Sequence, residues 1–166
     1  MADRTGGCAS GVPWRRPSRR PTLPAAMSNP EAPDLTYDGM TVGDVLVEST
    51  VTVTAESIAE FRRATSPGSG SDDGSGEGYA PPTMAAMWTV PRVMFGEWNV
   101  PVGGIHAGQR WRCARRIPAG STLRVRIRLK EKYIRRDRPW VVFESKLWDL
   151  EGGEVASGEM TIVWPA

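Results

Sequence analysis

The chain has one histidine, His106, and two cysteines, Cys8 and Cys113, among 166 residues. One imidazole and two distant thiols cannot assemble the tetrahedral set of a zinc site, so no metal is expected. No apolar signal region precedes the cysteines, which stand in unrelated contexts. Free thiols in a reducing, cytoplasmic compartment are therefore expected, not a disulfide framework. Long apolar runs are absent too, and none approaches the roughly 20 residues of a membrane span. The glycine-rich stretch "SPGSGSDDGSGEG" lacks both the ordered spacing and the Lys-Ser/Thr ending of a phosphate-cradling loop. It reads as a linker, and no cofactor is expected. No serine sits in a nucleophile elbow.

Acidic residues are few in one place. Residues 1–27 carry Arg4, Arg15, Arg16, Arg19 and Arg20 against Asp3 alone, while the rest of the chain is slightly acidic. The pI of about 8.7 thus originates in the N-terminal segment and gives no reason to expect a nucleic-acid partner. That segment, residues 1–34, is dense in Pro, Arg, Ser and Gly without an apolar period, and it reads as a disordered tail. Met27 is an alternative initiator to Met1.

Residues 35–166 read as one folded domain. "TVGDVLVESTVTVT" alternates and is β-branched, which predicts a strand over about 45–54. Thr54 is an N-cap, and Ile58, Phe61 and Ala64 recur at helical spacing, which predicts a helix over about 55–65. After the linker, Pro82 suits the first turn of a second helix. Met84, Met87, Trp88 and Met94 would share its buried face, and Pro91 would interrupt it. Four strands follow. The clearest is "STLRVRIRLKEKYI", where Leu123, Val125, Ile127 and Leu129 face one way and Arg124, Arg126, Arg128 and Lys130 the other. "PAG" and "EGGE" mark tight turns between strands. This pattern predicts an α+β fold: a long antiparallel sheet with helical material on one face.

Three groups of residues could carry chemistry. His106 lies in a glycine-rich approach, and an imidazole is the side chain suited to general acid or base work, although it can equally cap a strand. Arg135, Arg136 and Arg138 could hold the phosphates of a nucleotide-like ligand, or belong to a solvated strand face. The tryptophans Trp88, Trp98, Trp111, Trp140, Trp148 and Trp164 suit a core, an interface or an acyl tunnel. Glu131, Asp137 and Glu144 are available acids without a spacing pattern.

Four short motifs occur in order: "YAPPTMAAMW", "GGIHAGQRWRCARRIPAGSTL", "EKYIRRDRPWVVFES" and "GEVASGEM". Together they resemble a MaoC-like hot-dog domain of the (R)-specific enoyl-CoA hydratase and 3-hydroxyacyl dehydratase family, in its divergent N-terminal or partner-subunit type. The resemblance covers about residues 36–166. It implies a central helix opened by Pro82 and wrapped by a curved antiparallel sheet. It also implies an acyl-CoA or acyl-carrier thioester bound where two hot-dog units meet. On this resemblance Pro82, Trp88, Gly104, Gly108, Gln109 and Trp111 are substrate-binding candidates and His106 the catalytic candidate. Active members carry an Asp-x-Asn-Pro-x-His motif; the corresponding stretch here holds Asp72 and Asp73 but neither the His nor the Asn-Pro. The resemblance therefore implies a weakly catalytic or non-catalytic subunit, as a homodimer or paired with a dyad-bearing hot-dog partner. A stand-alone hydratase or thioesterase using His106, and a non-catalytic acyl-thioester-binding protein, are the alternatives.

Overall fold

The computed structural model describes residues 31–65, 78–89 and 97–165. The elements are β1 (Val45–Thr52), α1 (Ala55–Thr65), β2 (Tyr79–Ala80), a 3-10 helix (Pro82–Trp88), β3 (Ile105–Cys113), β4 (Ile117–Pro118), β5 (Thr122–Arg135), β6 (Arg138–Trp148) and β7 (Glu154–Val163). Five strands form one antiparallel sheet in the order β1-β5-β6-β7-β3, and β2 pairs with β4 in a small second sheet.

Alternation in β5 does what its pattern demands. Leu123, Val125, Ile127 and Leu129 are buried, and the arginines between them are exposed. Burying one such aliphatic side chain stabilises the fold by about 1.5–3 kcal/mol. Directly paired residues of antiparallel strands share a face, so the register carries this inner face across the sheet. Phe143, Ser145 and Leu147 of β6 and Ala156, Gly158 and Met160 of β7 lie on it.

Helix α1 starts where its cap predicts. The Ser57 backbone N–H donates to Thr54 Oγ1 at 3.0 Å, and Ile58 is the residue buried from this helix. The Pro82 segment differs from the expected α-helix. It is a seven-residue 3-10 helix, with the Met84 N–H bonded to the Pro81 carbonyl three residues back. At three residues per turn, Ala85 and Trp88 fall in one row against the core, whereas Met87 is exposed. The Thr89 hydroxyl closes the end by donating to the Ala86 carbonyl at 2.8 Å. Pro91 and Met94 lie outside the described residues.

The segment before β1 is held by Asn99, ahead of β3, and by Lys132 of β5. Leu35 N–H donates to the Asn99 carbonyl, and Asn99 Nδ2 donates to the Ala32 carbonyl at 2.7 Å. Lys132 Nζ donates to the carbonyls of Tyr37 and Met40, at 3.0 and 2.8 Å, with its charge 4.8 Å from the Tyr37 ring centroid.

Candidate functional site

β3 runs along an edge of the sheet; β7 is its one strand neighbour among the described residues. Its outer row of backbone donors and acceptors is therefore open to a further strand. Eight of its nine residues are exposed, the exception being the half-buried Trp111.

The register of β3 on β7 contains a bulge between His106 and Gly108. His106 pairs with Ile162, Gln109 with Met160, Trp111 with Gly158 and Cys113 with Ala156. All four β7 partners lie on the inner face, so His106, Gln109, Trp111 and Cys113 do as well. If Ala107 were paired in regular alternation rather than bulged, His106, three positions away, would fall on the opposite face from Gln109. Gly108 pairs with Thr161 on the outer face, and a Cβ there would meet nothing within 4 Å.

The approach to β3 contains two glycines, of which Gly103 is required by its backbone. Gly103 has φ of +96°, a left-handed conformation that other residues adopt only under strain. A Cβ on Gly104 would sit in ordinary contact with Ile162 Cγ2, at 3.4 Å.

Further along, the Trp111 indole covers Gly158. A Cβ on Gly158 would lie 2.8 Å from Cδ2 and Cε3 of Trp111, and equally close to the Arg110 carbonyl. Trp111 Nε1 is enclosed and has no hydrogen-bond partner among the described residues, although indole donors usually find one when buried. Trp88 is buried among core residues, below the sheet. Pro82 sits at the far end of β3, where the Cys113 thiol donates to its carbonyl at 3.4 Å. Burial raises the pKa of that thiol, which keeps it protonated.

Hence the candidates divide. His106, Gln109 and Trp111 share one face of one strand, and Gly104 shapes its start. Pro82 sits beside Cys113, seven residues along β3 from His106. Trp88 belongs to the core.

The acids do not join His106. Glu131 and Glu144 lie on the outer face, and Asp137 is at a hairpin tip. Glu144 pairs with Arg128. Burial works to raise its pKa, but the Arg128 hydrogen bond and the nearby Lys146 charge prevail and hold it below the usual carboxylate range. Asp72 and Asp73 lie outside the described residues. No group of three His, Cys, Asp or Glu side chains suited to a metal occurs among the described residues.

The arginine-rich strands present an ion-paired outer face: Arg126 with Glu48, Arg128 with Glu144 and Lys130 with Glu159. Arg135 lies over the Trp140 ring at 5.7 Å, and Arg136 and Asp137 form the two-residue turn between β5 and β6. Sequence reading missed two features: the Ala107 bulge and the role of Gly158. An isolated glycine within a strand signals a close backbone approach, and "EVASGEM" contained that signal.

The family model described as the FAS1-like dehydratase domain region matches residues 40–157. This chain belongs to that family. The dehydratase-region chain also has the hot-dog fold of MaoC-like proteins. It is similar to the MaoC-like dehydratase from Rhodospirillum rubrum, with 19% identity and a TM-score of 0.63, over 80% of this chain and 98% of that one. It is similar to the unliganded (R)-hydratase from Pseudomonas aeruginosa, with 20% identity and a TM-score of 0.58, over 81% and 88% of the two chains. A third similar structure is a 3R-hydroxyacyl-ACP dehydratase complex from Mycobacterium tuberculosis, with 23% identity and a TM-score of 0.57, over 69% and 89%. A search of curated proteins returned no match. Among the described residues no helix is long and apolar enough to cross a membrane.

Proposed function

We propose that this dehydratase-region protein is a hydratase/dehydratase-type subunit for an acyl-CoA or acyl-carrier thioester, paired with a second hot-dog unit. The observation that carries the reading is the open edge of β3 with His106, Gln109 and Trp111 on its inner face. A ligand on that face is incompletely covered by one chain. A second strand laid antiparallel on this edge would bring the partner's far strand end, and the loop opening its helical segment, beside His106.

Hydration of an enoyl thioester adds hydroxyl to C3 and a proton to C2. The site must hold the thioester carbonyl and deliver one proton. Gln109 and the bulged backbone near Ala107 are donors for the carbonyl, and Gly104, without a side chain, leaves the start of this face open. His106 has no carboxylate beside it on this face among the described residues, so the water-activating dyad comes from a dyad-bearing partner. The subunit works in a reducing, cytoplasmic compartment, in keeping with the free thiol of Cys113.

A second reading has His106 acting alone, and its exposure on the ligand face favours that. The test is loss of conjugated enoyl-CoA absorbance with the purified chain, alone and with a dyad-bearing hot-dog partner. Turnover only with the partner, and co-migration of the two, is the expected result. Turnover alone that disappears in His106→Gln would establish the second reading. Binding of acyl-CoA without product in either setting would leave a thioester-binding protein.

A further inference from the structure

We infer that Trp111 is the chain-length stop of the acyl site, seated in a niche that Gly158 provides. The inference rests on the acyl-thioester reading above and adds which acyl chains fit.

Two observations converge on it. First, Trp111 follows Gln109 by two residues on the same face of β3, so its side chain stands roughly 7 Å beyond the carbonyl-holding position. A chain of only a few carbons reaches it. Second, the indole occupies space that any side chain on Gly158 would take, since a Cβ there would lie 2.8 Å from Cδ2 and Cε3. The ring thus lies close against the sheet backbone at Gly158, on the inner face shared by β3 and β7. Behind Gly158 in the same row is Ser145, fully buried, with its hydroxyl committed to the Thr89 carbonyl at 3.2 Å. No side path opens in that direction.

Replacing the indole by a methyl group opens space on the order of 150 Å³, enough in other apolar sites to admit a benzene-sized ligand. Specificity between chains that differ by methylenes is set by such walls, at roughly 10- to 200-fold per step in a fitted pocket.

The experiment is calorimetric titration of the full chain, in the oligomer it forms, with butanoyl-, hexanoyl- and decanoyl-CoA. Wild type is expected to prefer butanoyl-CoA, and Trp111→Ala to shift the decanoyl-to-butanoyl ratio by about tenfold or more toward decanoyl. Trp111→Phe keeps a ring on Gly158 and is expected to shift it partway; it also serves if Trp111→Ala does not fold. Affinity that rises with chain length in wild type, or an unchanged ratio in the folded variants, overturns the inference alone. Absence of binding to every thioester by wild type overturns the acyl-thioester reading and this inference with it.

Discussion

The ring of Trp111 lies directly on Gly158, its cross-strand partner, with no room for even a methyl group between them. Gly158→Ala is expected to destabilise the fold by about 1–3 kcal/mol, the usual range for overpacking a filled site. The added methyl also meets the Arg110 carbonyl, so the rescue by Trp111→Ala in the double variant should be partial. Denaturant midpoints of the two single variants and the double variant check this. Fully additive losses would show that ring and glycine are not coupled.

Lys132 joins β5 to the turn before β1 by two charge-assisted bonds to main-chain carbonyls. Lys132→Met keeps the apolar stem and removes both bonds. A loss of about 1–3 kcal/mol is expected, with faster amide exchange concentrated in residues 35–44. Unchanged exchange there would mean that Leu35 and Met40 hold the segment by packing alone.

Acid should weaken the sheet through two carboxylates. The Gly153 backbone N–H and the Arg115 ion pair lower the pKa of Asp149 against the opposing effect of burial. Glu144 is lowered by Arg128 against its own burial. A folded-state pKa below the unfolded one contributes stability that is present above the unfolded value, near pH 4. That stability disappears as pH falls through the folded values. Unfolding midpoints measured from pH 7 down to pH 3 should decline, and Asp149→Asn with Glu144→Gln should flatten the decline.

The β5–β6 turn places Arg136 and Asp137 at φ of 51° and 56°, where asparagine and glycine are at ease. Exchanging the pair for Asn-Gly should stabilise the chain by about 1 kcal/mol or more, since each left-handed residue costs about 1–2 kcal/mol. Thermal melting reads the gain. Acyl-CoA binding should be unchanged, because Arg135 and Arg138 face away from His106; a fall in affinity would give the hairpin a ligand role.

Pairing along β3 should be sensitive to charge on its inner face. Gln109→Glu is expected to weaken self-association or partner binding by at least about tenfold in sedimentation experiments, because a carboxylate enclosed there has no cation beside it among the described residues. Unaltered association would move the interface away from β3.

Much of this arrangement was legible in one dimension. The strict alternation of β5, the Thr54 cap of α1 and the glycine turns each depend on residues within a few positions of one another. They appear where the local pattern puts them. The Pro82 segment shows the limit: its apolar spacing admitted an α-helix, and the chain instead forms a tighter 3-10 turn that aligns Ala85 with Trp88. Nothing local distinguishes the two, because the choice is made by what packs beneath.

By itself the sequence determined the α+β class, the strand periodicities, the absence of metal-site spacing and the short motifs shared with hot-dog dehydratases. Only tertiary structure decided which strand became an edge and which face His106 occupies. Both follow from hydrogen-bonding β3 to β7, some fifty residues away in the chain. One bulged residue, Ala107, then turns the only imidazole of the protein toward Gln109 and Trp111. That rotation comes from register, a property of two strands together and of neither alone.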